Sequence, residues 1–271
     1  MAIQSIRHWL KNSQNPLAQW LFHALNALIL MSIPAPKVIF LPLYYITTFL
    51  MVTWTNLTRT LWWTPLFKGR LQHVGRGLYL YGGIPYISGP LHISIGERCR
   101  ISGQSTFSGR AYPKSGVDGG NKQPKLLIGN NIDIGWQTTI AVGQKIVIGD
   151  NVRISGRAFL TGYPGHPINA EDRAAGLPEL DCQIGDIILE KDVWLATGVS
   201  VMAGVTIGHG TIVATGSVVT SDLPPNVLAG GMPAKIIRRL TDAEIETYVD
   251  KVINTRGVDN TEIATNTERE K

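Results

Sequence analysis

The side chain best suited to chemistry in this chain is a histidine in the run Tyr163, Pro164, Gly165, His166, Pro167, Ile168, with Arg173 a short step downstream. A neutral imidazole titrates near pH ~6.5, so it can take a proton from a hydroxyl while that hydroxyl attacks an electrophile. The competing reading is that His166 only caps a loop. The other histidines offer less. His209 lies in IGHG without a companion histidine close in sequence, and His73 and His92 have no motif around them. Two cysteines, Cys99 and Cys182, are too few and too widely spaced for a disulfide framework or a four-ligand zinc site, so buried thiols in a reducing compartment and no metal are expected.

A second chemical group is cationic. Lys235, Arg238 and Arg239 in PAKIIRR can hold phosphates through charge-assisted hydrogen bonds, or simply solvate a chain leaving its domain. Upstream, Ala196, Gly198, Ala214 and Gly216 leave backbone nearly bare, against which an extended ligand arm can lie.

These residues need a rigid frame, and the sequence writes one. An aliphatic residue recurs every sixth position at Leu189, Leu195, Val201, Ile207, Val213 and Val219, a period that fits neither an α-helix nor a flat strand. Four residues after each of the first five comes a small or β-branched side chain: Val193, Val199, Val205, Thr211, Ser217. If each hexad is a short strand plus a corner, three hexads close one turn of a parallel β-helix, and turns stack at about 4.8 Å. The step of six extends upstream through Ile148, Ile154 and Leu160, through Ile128, Ile134, Ile140 and Ile146, and through Ile95 and Ile101. The phases at Ile146 and Ile148 differ by two residues, which predicts a corner insertion. Two excursions, 107–125 and 161–186, escape the repeat, and His166 lies in the second. The first carries Arg110, Lys114, Lys122 and Lys125, a set able to embrace an anionic acceptor or merely to be solvated.

The N-terminal region differs in kind. From Leu17 to Phe67 the only Lys or Arg residues are Lys37 and Arg59, and no acidic residue occurs. Val38 to Thr58 is uncharged and long enough to cross or deeply enter a bilayer, with a kink expected at Pro42. Leu17 to Ile33 places Gln19, His23 and Asn26 on one stripe of an apolar helix, as for a helix lying in the interface. Pro34 to Lys37 reads as the turn of a helical hairpin. Arg7 and Lys11 precede it and Arg59, Lys68, Arg70 and Arg76 follow, which places both ends in the cytoplasm, with Trp54, Trp62 and Trp63 in a headgroup belt. The alternative is that these helices pack on the solenoid or on neighbouring subunits.

The net charge of +5 and pI near 9.2 permit nucleic-acid binding, but the repeat holds no basic run with interleaved aromatics, so none is expected. Three segments follow: a membrane-associated helical hairpin at 1–70, a β-helix at 71–240, and a C-terminal helix and polar tail at 241–271. Thr241 to Glu244 forms a capping box for a helix running to about Thr255.

GHPI with its downstream Arg, IGD at 184–186, KDVWLATGVSVMAGVTIGHGTIVATGSVVTSDLPPNV at 191–227 and AGGMPAKIIRR at 229–239 together resemble the hexapeptide-repeat O-acetyltransferases, with maltose, galactoside and xenobiotic acetyltransferases closest in pattern. The resemblance covers roughly Ile128 to Leu240. It implies a mainly β fold, a left-handed parallel β-helix, assembled as a homotrimer with clefts between subunits. It implies acetyl transfer from acetyl-CoA to a hydroxyl, with His166 as general base, Gln137 and Arg173 at the acceptor, and Trp194, Gly198, Ala214, Lys235, Arg238 and Arg239 at the cofactor. Trp194 either walls the acyl pocket or covers the solenoid flank. Where the sugar enzymes of the family have an NFN segment, this chain has Gly135, Trp136, Gln137, and the acidic residue of their next stretch falls near Val142. The acceptor is therefore expected to be neither maltose nor a simple galactoside. The expected function is O-acetylation of a sugar in a surface polysaccharide, lipid-linked oligosaccharide or glycolipid at the cytoplasmic face of a bacterial inner membrane. The alternatives are a soluble amino or nucleotide sugar as acceptor, and a non-catalytic trimeric scaffold.

Overall fold

The structure, a computed structural model, describes residues 8–32, 34–111 and 123–245. Its contacts divide the chain between Trp54 and Thr55 into two units, rather than at position 70.

The smaller unit is helical. Helix α1 (Pro16–Leu30) starts where the Asn15 side chain accepts a hydrogen bond from the Leu17 N–H, with Pro16 in the first turn, where its missing N–H costs nothing. Helix α2 (Lys37–Thr58) runs through Pro42 without a break and has no buried residue. It continues through a π-helical turn at Arg59–Trp63 into α3 (Thr64–Arg70). Lys37–Arg70 is the one helix among the described residues long and apolar enough to cross a membrane.

The larger unit is the parallel coil that the hexads predict. Six turns are laid down by β1 (His73–Val74), β2 (Tyr79–Tyr81), β3 (Tyr86–Ser88); β4 (His92–Ile95), β5 (Arg100–Ser102), β6 (Thr106–Gly109); β7 (Lys125–Ile128), β8 (Asp133–Ile134), β9 (Thr139–Val142); β10 (Lys145–Ile148), β11 (Arg153–Ile154), β12 (Phe159–Thr161); β13 (Ile187–Leu189), β14 (Trp194–Leu195), β15 (Ser200–Val201); and β16 (Thr206–Ile207), β17 (Ile212–Val213), β18 (Val218–Val219). Every third strand pairs in parallel, which makes three faces. We call the corner between the first and second faces the first corner, that between the second and third the second corner, and the one where each turn passes to the next the closing corner.

The register explains the period. Ile101, Ile134, Ile154, Leu195 and Val213 stack inward on the second face, fully buried or nearly so. Each such side chain contributes roughly 1.5–3 kcal/mol on leaving water. First-face strands β4, β7 and β10 are four residues long and turn two side chains inward, as in Ile146 and Ile148 paired with Leu126 and Ile128. The two-residue shift between Ile146 and Ile148 is therefore a lengthened strand with two inward side chains, not the corner insertion expected from sequence. The small hexad positions, Val193, Val199, Val205, Thr211 and Ser217, are all buried. Thr211 and Ser217 satisfy their hydroxyls by donating to the carbonyls of Pro224 (2.7 Å) and Ala214 (2.6 Å). Cys99 fills such a position and burial pushes its thiol up. Cys182 is exposed, contrary to expectation, because it falls in the second excursion, outside the repeat.

At the first corner Asn131, Asn151 and Asp192 hold positive φ, a conformation that short polar side chains tolerate. They form a ladder: the Asn131 amide donates to Asn151 and the Asn151 amide to Asp192, both at 2.9 Å. Both ends of the coil are covered. Phe67 of α3 is buried in the core cluster, where Trp63 and Leu71 also pack, so Trp63 belongs to the coil's lid rather than to a headgroup belt. At the far end β19 (Val227–Gly231) pairs with β17 and folds back on β20 (Ala234–Arg239) as an antiparallel hairpin, covering β19, which would otherwise be an open edge. The Thr241 N–H donates to the Glu244 carboxylate ahead of α5 (Asp242–Ile245), one half of the expected capping box; the Thr241 hydroxyl donates to the same carboxylate instead of accepting from the Glu244 N–H, which bonds to the Thr241 carbonyl. The rest of the predicted helix to Thr255 lies outside the described residues.

Candidate active site

Both excursions leave from the closing corner. The neck of the second is a column of glycines: Gly162 accepts a hydrogen bond from the Gly185 N–H at 3.1 Å, and an added Cβ at Gly143 would stand 2.5 Å from the Gly162 carbonyl oxygen, one at Gly185 2.2 Å from the Gly204 nitrogen. No side chain fits between these backbones, so the loop leaves and returns at one fixed place.

The loop is held by its own polar groups. Thr161 donates to the Tyr163 carbonyl at 2.8 Å. The Asn169 side chain caps the short helix α4 (Ala170–Ala174), accepting from the N–H groups of Glu171 and Asp172. Arg173, expected at the acceptor, donates through Nη1 to the carbonyls of Pro167 (3.0 Å) and Ile168. Gln183 donates to the His166 carbonyl at 3.4 Å and accepts from the Leu180 N–H at 2.9 Å. The backbone around His166 is therefore gripped on both sides while its side chain is exposed to solvent. An imidazole so placed is free to meet a substrate, as general-base chemistry requires.

Arg110 closes this arrangement. It is buried at 3% exposure. Its Nε donates to the buried Glu179 carboxylate, Nη1 to Asp181 at 2.7 Å, and Nη2 to the Glu179 carbonyl at 2.9 Å. The sequence reading grouped Arg110 with acceptor-binding lysines; the structure spends its guanidinium on the return leg of the His166 loop. Lys114 and Lys122 lie outside the described residues. No local signal announced this pairing, since the partners are 69 residues apart.

The other expected residues lie elsewhere. Gln137 sits at the second corner with φ +56, its Oε1 accepting from Arg157 Nε at 3.3 Å, and Arg157 lies 4.6 Å from the Trp136 ring centre. On the two turns above, the same corner carries Ala196, Thr197, Gly198 and Ala214, Thr215, Gly216. Gly198 and Gly216 have positive φ, and a Cβ added at Gly216 would meet nothing within 4 Å. This is a ledge of bare backbone. Beside it on the second face, Trp194 is half exposed and its indole N–H reaches Ser155 Oγ at 3.4 Å. Lys235, Arg238 and Arg239 line up on β20, but Arg238 is already paired in bidentate fashion with Glu244, both contacts at 2.7 Å. Lys235 and Arg239 make no ion pair among the described residues. His209 stands at a corner with its Nδ1 3.3 Å from Glu190, half exposed. Among the described residues no group of three or more His, Cys, Asp or Glu is placed to hold a metal ion. Thus His166 and Arg173 come together at the closing corner, whereas Gln137, Gly198 and Ala214 gather at the second, one face of the prism away.

No family model matches the chain. Among curated proteins it is similar to a galactoside O-acetyltransferase of Escherichia coli K12, 36% identical over 123 residues, which cover 45% of this chain and 58% of that protein. It is also similar to a polysialic acid O-acetyltransferase of Escherichia coli O1:K1, 39% identical over 121 residues, covering 41% of this chain and 37% of the relative. The chain thus spans less than two thirds of the length of either. Among solved structures, an N-acyltransferase from Bacillus cereus, in complex with coenzyme A and dTDP-4-amino-4,6-dideoxyglucose, shares the fold with a TM-score of 0.54 over 71% of this chain and 96% of that one, at 21% identity. By its repeat and by these likenesses, the chain is similar to the hexapeptide-repeat acetyltransferases.

Proposed function

We propose that this chain is an acetyl-CoA-dependent O-acetyltransferase that modifies a sugar hydroxyl of a surface polysaccharide, lipid-linked oligosaccharide or glycolipid. The observation that carries the reading is an exposed His166 on a loop whose backbone is fixed by Arg173, Gln183 and Arg110, in a chain similar to two curated sugar O-acetyltransferases. In the reaction, the imidazole of His166 takes the proton of the acceptor hydroxyl as its oxygen attacks the thioester carbonyl; the tetrahedral adduct then expels the coenzyme A thiolate, which recovers the proton. Acetyl passes directly, with no acyl-enzyme. The ledge at Gly198 and Gly216 fits an extended pantetheine arm, and Lys235 and Arg239 supply charge for its phosphates.

The base and the ledge sit on different corners, so one chain does not assemble both halves of a site. The reading therefore includes a homotrimer of parallel prisms, in which the closing corner of one copy would face the second corner of the next. The apolar residues 17–67 attach this assembly to the cytoplasmic face of a bacterial inner membrane, beside lipid-bound acceptors. The test is release of free coenzyme A thiol with His166→Ala. Turnover falls by at least about 100-fold while the oligomer mass is unchanged; undiminished turnover refutes the assignment. A full chain that stays soluble without detergent refutes the membrane attachment.

A further inference from the structure

The charge of this chain is sorted along its length. Glu97 is the one acidic residue before position 118, against eleven Lys and Arg; the remaining nineteen acidic residues follow, with fourteen Lys and Arg. In the coil this gradient becomes geometry, because the first two turns and their helical lid form one end of the prism. That end carries Arg59, Lys68, Arg70, Arg76, Arg98 and Arg100. Arg59 lies 4.0 Å from the ring centre of Tyr79, Arg70 donates to the Leu91 carbonyl, and Arg100 stands 3.5 Å from Asp133. Lys68, Arg76 and Arg98 are exposed and make no ion pair among the described residues. Between these cations the same end exposes Leu61, Trp62, Leu66, Ile84 and Tyr86. Large apolar and aromatic side chains interleaved with unpaired cations match a bilayer's headgroup layer, where rings settle and cations meet lipid phosphates.

We infer that the first-turn end of the coil, with its lid, is a docking surface for anionic phospholipid headgroups. The surface comprises Lys68, Arg76, Arg98, Trp62 and Tyr86: it takes in the last turns of the apolar helix and continues onto the first two turns of the coil. The inference rests on the membrane attachment proposed above and adds a partner to it: insertion of an apolar helix has no preference for lipid charge, whereas this end does. With that end on the headgroups, the prism stands on the bilayer.

The test offers the full-length protein, diluted from detergent, a mixture of two separable vesicle populations, one of phosphatidylcholine alone and one also containing phosphatidylglycerol. The chain sorts to the anionic vesicles, and raising the salt toward 1 M removes the preference. The triple variant Lys68→Gln, Arg76→Gln, Arg98→Asn lowers it by on the order of 100-fold, about fivefold per cation. Asn suits the positive φ of Arg98, and circular dichroism checks that the coil is intact. The control variant Lys125→Gln, Lys191→Gln, Lys235→Gln removes the same charge from later turns and keeps the preference. Equal capture by both vesicles, or an equal loss in the control, overturns the docking surface while leaving the membrane attachment standing. Capture by neither vesicle overturns both. Abolition of the preference by a soluble polyanion at matched phosphate concentration overturns the choice of lipid as the partner.

Discussion

Arg110 and Glu179 are both nearly fully buried, and a carboxylate left there without its partner is costly. Arg110→Ala is expected to lower stability by about 3–5 kcal/mol, read as a drop in the unfolding midpoint, and to reduce kcat more than it raises KM because it loosens the loop that carries His166. Replacing both partners by Leu restores most of the stability without restoring turnover. Glu244 gives a second test. Its hydrogen bond from Arg238, with further bonds from Thr241, lowers its pKa to about 2. A carboxyl depressed in this way stabilises the fold above its ordinary value near 4.3, and the contribution disappears as pH falls toward 2. A carbon NMR titration should place the Glu244 midpoint near the lower figure, and Arg238→Gln should return it to the ordinary range. Sequence could nominate His166 because a motif surrounds it. It could not nominate Arg110, whose role exists only once two loops separated by two turns of coil leave the same corner.

Among elements, the strands of the coil are two to four residues long and survive only by stacking. Ile134 lies between Ile101 and Ile154 on the inward column of the second face and is fully buried. Ile134→Ala is expected to cost about 2–5 kcal/mol, measured by denaturant unfolding, because neighbours above and below are fixed by their own ladders and do not collapse into the space. Such elements were legible in sequence, since a period of six with a small residue four places on has no other regular reading; the shift at Ile146, expected as a corner insertion, is instead a strand with two inward residues. The corners were less legible. Gln137 can be placed on the coil from its phase, but that its amide meets Arg157 on the next turn depends on register between turns.

For the whole molecule, sequence put the boundary between helical and coiled regions at position 70, where the apolar stretch ends. Contacts put it at 54 because Phe67 and Trp63 close the first turn of the coil, and an amphipathic lid is not separable by composition from the apolar helix it continues. A chain beginning at 55 is therefore expected to unfold at nearly the midpoint of the full protein, whereas one beginning at 71 loses roughly 3–5 kcal/mol or more with the Phe67 plug; thermal unfolding of the two distinguishes them. Both excursions depart at the closing corner, and the glycines there admit no thicker backbone spacing. Novelty in such a fold is thus confined to a single seam. Segments can be lengthened, exchanged or deleted along that edge without any rung of the stack being rewritten, so divergence in what the protein recognises needs no divergence in what holds it up.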